Sequence, residues 1–227
     1  MKKLIIFSGA GISAESGLKT FRDSGGLWEN FRIEEVATPE AWKQNPERVL
    51  RFYNERRQQA AQAQPNQAHR IIAELENHFS VDVITQNVDD LHERAGSSRV
   101  LHLHGELNSM RTEQEPYKRY RIEHDMDLNT VNEHGERLRP DIVWFGEAVP
   151  NMEYAIALAE AADYLVVVGS SLQVYPAASL LHYVPNTCQV FLVDPQIPEG
   201  LNPKIKTYAL PATLGLPLLQ AELLAQD

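Results

Sequence analysis

The chain has a single cysteine, no surplus of positive charge and no long apolar run, and each absence narrows what it can be. With Cys188 as the only cysteine in 227 residues, no disulfide can form within the chain, and a reducing, cytoplasmic setting is expected. Cys188 lies in the apolar stretch Thr187-Cys188-Gln189-Val190-Phe191-Leu192-Val193 and reads as a packing residue. Acidic residues outnumber basic ones 31 to 21, a net charge of −10, which disfavours an electrostatic grip on nucleic acid or an anionic membrane. Residues 1–7 are basic and then apolar, but Ser8-Gly9-Ala10-Gly11 ends the run far short of a signal core or a membrane span. That opening is read as a first buried strand.

What is present is a repeated alternation. Short runs rich in Val, Ile and Leu occupy 4–7, 81–85, 100–103, 165–168 and 190–193, with helical stretches at 46–62, 68–77, 154–162 and 177–184. Strands that are apolar on both faces and separated by helices predict an α/β fold, a doubly wound, Rossmann-like parallel sheet. Residues 108–139 break the pattern, being almost all polar between strand-like flanks. They are expected to be a small inserted module or a loop, leaving 1–107 and 140–227 as the main domain. No internal repeat or low-complexity tract is found.

The first strand runs into Gly9-Ala10-Gly11-Ile12-Ser13. Glycines there let backbone approach a pyrophosphate, whose charge free N–H groups at a helix start can meet. Gly-x-Gly without a third glycine also occurs in ordinary strand-to-helix turns. Longer blocks surround it. Gly9 through Gly17 with Thr20-Phe21-Arg22 and Gly26-Leu27-Trp28 is followed by Thr85-Gln86-Asn87-Val88-Asp89 and by Leu103-His104-Gly105-Glu106-Leu107. Then come Arg139-Pro140-Asp141-Ile142-Val143-Trp144-Phe145-Gly146-Glu147 and Gly169-Ser170-Ser171-Leu172-Gln173-Val174-Tyr175-Pro176-Ala177. In content and order these resemble the signature blocks of the sirtuin (Sir2) family, over most of the chain from Ile5 to about Pro217.

The resemblance implies an NAD-dependent enzyme that transfers acyl groups from lysine to ADP-ribose with release of nicotinamide. It places Gly9, Ala10, Gly11, Ser13, Glu15, Phe21, Arg22 and Trp28 around the cofactor, in a loop that closes over it. Gln86, Asn87, Val88 and Asp89 follow a strand's carboxyl end, where open α/β sheets bind ligands. The resemblance gives Gln86 the ribose and Asn87 and Asp89 the nicotinamide pocket, and counts Asn87 with the catalytic residues. Gly169, Ser170, Ser171, Asp194 and Ala212 fall on the adenosine side, although the family more often has Asn where Asp194 stands. Plain core packing remains an alternative for Phe21, and capping of the next helix for Asp89.

His102 and His104 alternate and are expected on one face of a strand. A neutral imidazole suits a general base on a ribose hydroxyl, and the resemblance assigns that role to His104. A lone strand histidine is otherwise usually structural. Val143, Trp144 and Phe145 resemble the segment that pairs with substrate backbone, with Phe145 lining the acyl-lysine tunnel. The expected partners are acylated-lysine proteins or peptides. The sequence leaves the oligomeric state open, a monomer included.

Two features refine the reading. Sirtuins usually carry paired Cys-x-x-Cys motifs that hold zinc, but Thr112, Glu115, Val131 and His134 stand at those places. Glu115 and His134 could supply at most two ligands, with His124 a remote third, so no metal is expected. Tyr53 and Arg56 lie at i and i+3 of one helix and can face one pocket. This Tyr-x-x-Arg resembles the desuccinylase and demalonylase subclass, in which an Arg fork and a phenol read a terminal carboxylate. The alternative is a solvated basic face of Arg48, Arg51, Arg56 and Arg57. An ADP-ribosyltransferase or NAD hydrolase on the same scaffold, and a nucleotide-sensing module without turnover, are the competing functions.

Overall fold

The computed structural model describes residues 1–19, 27–28, 31–114 and 117–226. In chain order the elements begin with β1 (Lys3–Ser8), the single-turn α1 (Gly11–Ala14), β2 (Leu27–Trp28), β3 (Phe31–Arg32), α2 (Ile33–Val36) and α3 (Pro39–Gln44). Then follow α4 (Pro46–Gln62), α5 (Gln67–Glu74), β4 (Ser80–Thr85), α6 (Leu91–Ala95), β5 (Val100–His102), β6 (Gly105–Thr112), β7 (Arg119–Arg121) and β8 (Leu138–Ile142). The chain continues through α7 (Met152–Glu160), β9 (Tyr164–Val168), β10 (Gln189–Val193), β11 (Lys206–Tyr208) and α8 (Ala212–Ala225).

Six strands form one parallel sheet in the order β11-β10-β9-β1-β4-β5. Side chains alternate across each strand, so β1 sends Leu4 and Ile6 to one face and Ile5 and Phe7 to the other. The first face is closed by Ile71 and Ile72 of α5 and Leu216, Leu219 and Leu223 of α8. The second is closed by Ala155 and Ala159 of α7 and by Leu180. Covering both faces is what a parallel sheet requires, and it is why β1 and β9 read as apolar runs.

Helical expectations differ from the structure in two places. The stretch 68–77 is α5 continued by a 3-10 turn, Leu75–Asn77, and the stretch 177–184 contains only a 3-10 helix, Ala177–His182. Pro185 disfavours helical backbone at Val184 and so limits the end of that stretch. The described part of 108–139 contributes strands to a second, antiparallel sheet of order β7-β6-β8, with turns and coil between them. It packs Leu107, Leu138 and Ile142 with Met126 against Trp42, Phe52 and Tyr53 of α3 and α4. Helix α4 is set by Asn45, whose side chain accepts from Arg48 N–H, and by Pro46 at its first turn. Among the described residues, no helix is long and apolar enough to cross a membrane.

Candidate active site

The strand order reverses between β1 and β9: the chain moves outward through β4 and β5, then returns to build β9, β10 and β11 on the other side. Open sheets bind ligands beyond the carboxyl ends of the strands at such a point. Ser8 is in register with both Thr85 and Val168. The segments that follow β1, β4 and β9 therefore leave the sheet at one level.

The glycine loop does something other than present free N–H groups. Gly9 donates to the Val168 carbonyl at 3.0 Å, Gly11 to that of Gly169 at 2.9 Å, Ile12 to that of Gly9 and Ser13 to that of Ala10, both at 3.1 Å. The expectation of free donors at a helix start is corrected for these four groups, because α1 is one turn long and is tied to its neighbour. The glycines serve the approach of two backbones. A Cβ on Gly9 would stand 2.7 Å from the Gly169 oxygen, and Gly169, at φ +62°, would carry one 2.2 Å from the Ile12 nitrogen. Ala10 remains exposed on the crevice side of this contact. Glu15 reaches α8 instead, accepting from Thr213 N–H at 3.0 Å beside the buried Ala212.

Inside the crevice a chain of buried polar groups runs from one loop to the next. The Asn87 amide donates to Ser13 Oγ at 3.1 Å, and Ser13 Oγ donates to Asp89 Oδ2 at 3.1 Å. Asp89 Oδ1 also accepts from Leu91 N–H at 3.2 Å, so the residue both stabilises the start of α6 and reaches the crevice. Burial raises its pKa, while the Leu91 and Ser13 bonds oppose the rise. The Gln86 amide donates to Ser170 Oγ at 3.0 Å. Ser171 and Val88 are half-buried next to this pair. Asp194 is fully buried after β10 and accepts from Gln196 N–H at 2.9 Å. Asn66 closes the far side by donating to Ile12 O at 2.7 Å.

His102 and His104 do not share a strand face, because β5 ends at His102 and the chain turns before Gly105. A Cβ at Gly105, φ +83°, would fall 1.8 Å from the Asp141 oxygen, so only glycine fits beside β8 there. His104 is half-buried with Nδ1 3.1 Å from the Gln86 carbonyl. A carbonyl only accepts, so Nδ1 carries the proton and Nε2 is left with a lone pair. Burial lowers the His104 pKa, opposed by the Gln86 bond, which keeps the ring neutral near pH 7. Both properties suit a base.

Next to His104 lies the candidate substrate segment. Val143 donates to the His104 carbonyl at 2.9 Å and Phe145 to the Ala37 carbonyl at 3.0 Å, while the Phe145 ring is half exposed. The Trp144 side chain turns inward, only 2% exposed, and its Nε1–H donates to Tyr53 Oη at 3.1 Å. The Arg139 guanidinium lies 3.3 Å over the Trp144 ring and grips Glu147 through two bonds of 2.7 and 3.0 Å. Glu147 in turn accepts from Trp144 N–H at 2.8 Å. Tyr53 is buried, which raises its pKa far above the ordinary phenol, and Arg56 on the same helix is 7% exposed. Arg48 instead pairs with Glu35 at 2.8 Å, Arg57 with Asp125, and Arg51 is exposed. Arg56 thus stands apart from the basic surface.

Phe21, Arg22, Glu115 and the side chain of Trp28 lie outside the described residues. Thr112 is buried and accepts from Lys118 N–H at 3.0 Å, whereas Val131 and His134 are exposed. Among the described residues no group of three His, Cys, Asp or Glu could hold a metal. The sequence reading missed Ser8, Thr85 and His92, which support the crevice from below: Ser8 Oγ donates to Thr85 Oγ1 at 2.8 Å and lies 2.9 Å from His92 Nε2. Their signal was a hydroxyl residue closing each of two apolar strands. Neutral amides, hydroxyls and the buried carboxylates of Asp89 and Asp194 beyond a sheet's switch point fit the hydroxyls and carboxamide of a dinucleotide.

Comparison with known proteins bears on this geometry. The model of the Sir2 family matches residues 9–176. An NAD-dependent protein deacylase of Helicobacter pylori (strain ATCC 700392 / 26695) is 58% identical over 196 residues, 86% of each chain. One of Bacteroides thetaiotaomicron is 52% identical over 202 residues, again 86% of each. Among solved structures, a Sir2 homolog in complex with NAD aligns with a TM-score of 0.86 at 37% identity, covering 99% of this chain and 90% of its own. A Sir2 complex with a p53 peptide and NAD+ aligns at 0.79 and 30% identity, covering 98% and 94%.

Proposed function

The chain belongs to the Sir2 family and is an NAD-dependent protein deacylase acting on protein or peptide substrates; within that activity we propose that it prefers acyl groups ending in a carboxylate. The observation that carries this preference is the buried pair Tyr53 and Arg56. An arginine taken out of water gains most from an acidic partner. Tyr53 Oη already accepts from Trp144, so its own proton is left to donate toward a carboxylate.

NAD, when bound, supplies an ADP-ribose acceptor for the acyl group, with nicotinamide as the leaving group. We assign Gly9, Ala10, Gly11, Ser13, Gln86, Asn87, Val88, Asp89, Gly169, Ser170, Ser171, Asp194 and Ala212 to its binding, Asn87 also counting as catalytic. Glu15, Trp28 and the undescribed Phe21 and Arg22 belong to the same proposal. His104 takes the ribose hydroxyl proton on Nε2, the nitrogen that the Gln86 carbonyl leaves unprotonated. Val143 and Phe145 carry the substrate backbone, and Trp144 supports them from the core. The residues 108–139 form a metal-free module that buttresses this wall through β6 and β8.

The test is nicotinamide release from NAD with and without an acyl-lysine peptide. Release that requires the acylated peptide and is matched by deacylated product is expected. Equal release without peptide would make the chain an NAD hydrolase.

A further inference from the structure

His102 has no part in the chemistry assigned above, yet it is 8% exposed directly behind the Asn87–Asp89 segment. Its Nδ1 lies 2.8 Å from the Asn87 carbonyl and its Nε2 2.8 Å from Glu93 Oε1 on α6. Both partners only accept, so both ring nitrogens carry protons when Glu93 is ionised. We propose that His102 and Glu93 form a positioning pair that clamps the Asn87 carbonyl and fixes the Asn87–Asp89 segment for the nicotinamide end of the cofactor. The proposal rests on the site reading above, in which Asn87 and Asp89 take that end.

The surroundings of the imidazole favour this use. Burial alone would lower its pKa, but the Glu93 bond and charge and the Asn87 carbonyl outweigh it and raise the net value. Glu106 on β6 adds to the rise, and the His102 charge acts on Asp89 and on His92 of α6. Arg119 and Tyr154 share with it a cavity of about 380 Å³, and Asn151 donates to its backbone carbonyl at 2.7 Å. The pair has a built-in failure mode. When His102 loses one proton as pH rises, the charged Glu93 holds the remaining N–H on Nε2, because a bond to a carboxylate is stronger than one to a carbonyl. Nδ1 then turns a lone pair toward the Asn87 oxygen and the clamp opens.

Binding of NAD and of ADP-ribose, which lacks nicotinamide, separates the clamp from the rest of the site when followed by calorimetry between pH 6 and 9. Wild type is expected to lose NAD affinity on the order of 10-fold through the His102 titration while ADP-ribose affinity stays level. In Glu93→Gln the side-chain amide donates to Nε2, the neutral ring keeps its Nδ1 proton on Asn87, and the loss with rising pH should disappear. His102→Leu should bind NAD weakly at every pH and ADP-ribose normally. NMR of the His102 ring should show its titration moving to lower pH in Glu93→Gln. An NAD profile unchanged by Glu93→Gln, or ADP-ribose weakened as much as NAD in His102→Leu, would overturn the clamp. A wild type that binds neither ligand would overturn the site reading itself.

Discussion

At the scale of single residues, the two histidines on either side of Leu103 show how a neighbour's carbonyl sets a role. His104 donates from Nδ1 to the Gln86 carbonyl and presents a bare Nε2, whereas both ring nitrogens of His102 face acceptors, the Asn87 carbonyl and the Glu93 carboxylate. His104→Ala is expected to cut kcat by at least 100-fold with NAD affinity within about 3-fold of wild type, since a base acts in the chemical step. Steady-state kinetics beside calorimetry would show it, and near-normal kcat would remove His104 from that role. Because burial lowers its pKa from 6.5, the acid limb of kcat/KM should lie below pH 6.5. A limb centred above 6.5 would contradict the neutral-base geometry. His104 was legible in the sequence through the Leu103-His104-Gly105-Glu106 block. The supporting Ser8, Thr85 and His92 were not, since a hydroxyl at a strand end looks the same whether it faces water or a buried ring.

At the scale of elements, the second sheet shows how a module is held without paired cysteines. Arg119 bonds Asp141 at 2.8 Å, and Trp42 donates to Glu113 at 3.0 Å. Asn54 of α4 exchanges two bonds with the backbone of Met126, at 2.8 and 3.0 Å, while the Met126 side chain is buried against the same helix. The purified protein is therefore expected to carry less than 0.1 equivalent of zinc, about, and to keep its activity in strong chelator. Elemental analysis near one zinc per chain would overturn this. Asn54→Ala removes both bonds to Met126 and should cost about 1–3 kcal/mol in a urea melt. The polar stretch 108–139 hid this arrangement because its apolar anchors are single residues, Met126 and Leu138, separated by turns. By contrast α4 was legible to its bounds, since Asn45-Pro46 marks its start and Val49, Phe52, Tyr53, Arg56 and Ala60 mark one buried face.

At the scale of the whole molecule, most of the parallel sheet was plain in the sequence because β1, β4 and β9 are buried on both faces, whereas the edge strand β11, exposed at Lys206 and Thr207, gave no apolar run to read. The way its loops interlock was hidden, since the Gly9–Gly169 contact joins residues far apart in the chain. Below Ser8, whose Oγ lies 2.9 Å from His92 Nε2, His92 packs on the buried ring of His69 with centroids 5.0 Å apart. Burial lowers both pKa values, that of His69 to about 4, so the fold holds these rings neutral while the unfolded chain protonates them near 6.5. Their contribution is present above pH 6.5 and is lost as pH falls toward 4. His102, whose pKa is raised, acts in the opposite sense and offsets part of this slope near pH 6.5. Urea midpoints should therefore drop between pH 6.5 and 5, and less steeply in His69→Gln. The central claim is that a buried Arg56 reads an acidic acyl group inside an NAD-dependent deacylase, and it is tested most directly by the ratio of succinyl-lysine to acetyl-lysine kcat/KM in wild type and in Arg56→Met. Loss of a charge-assisted bond worth about 1.5–3 kcal/mol predicts a ratio lowered by roughly 10- to 150-fold, with acetyl turnover little changed. A ratio left the same by Arg56→Met would contradict the claim.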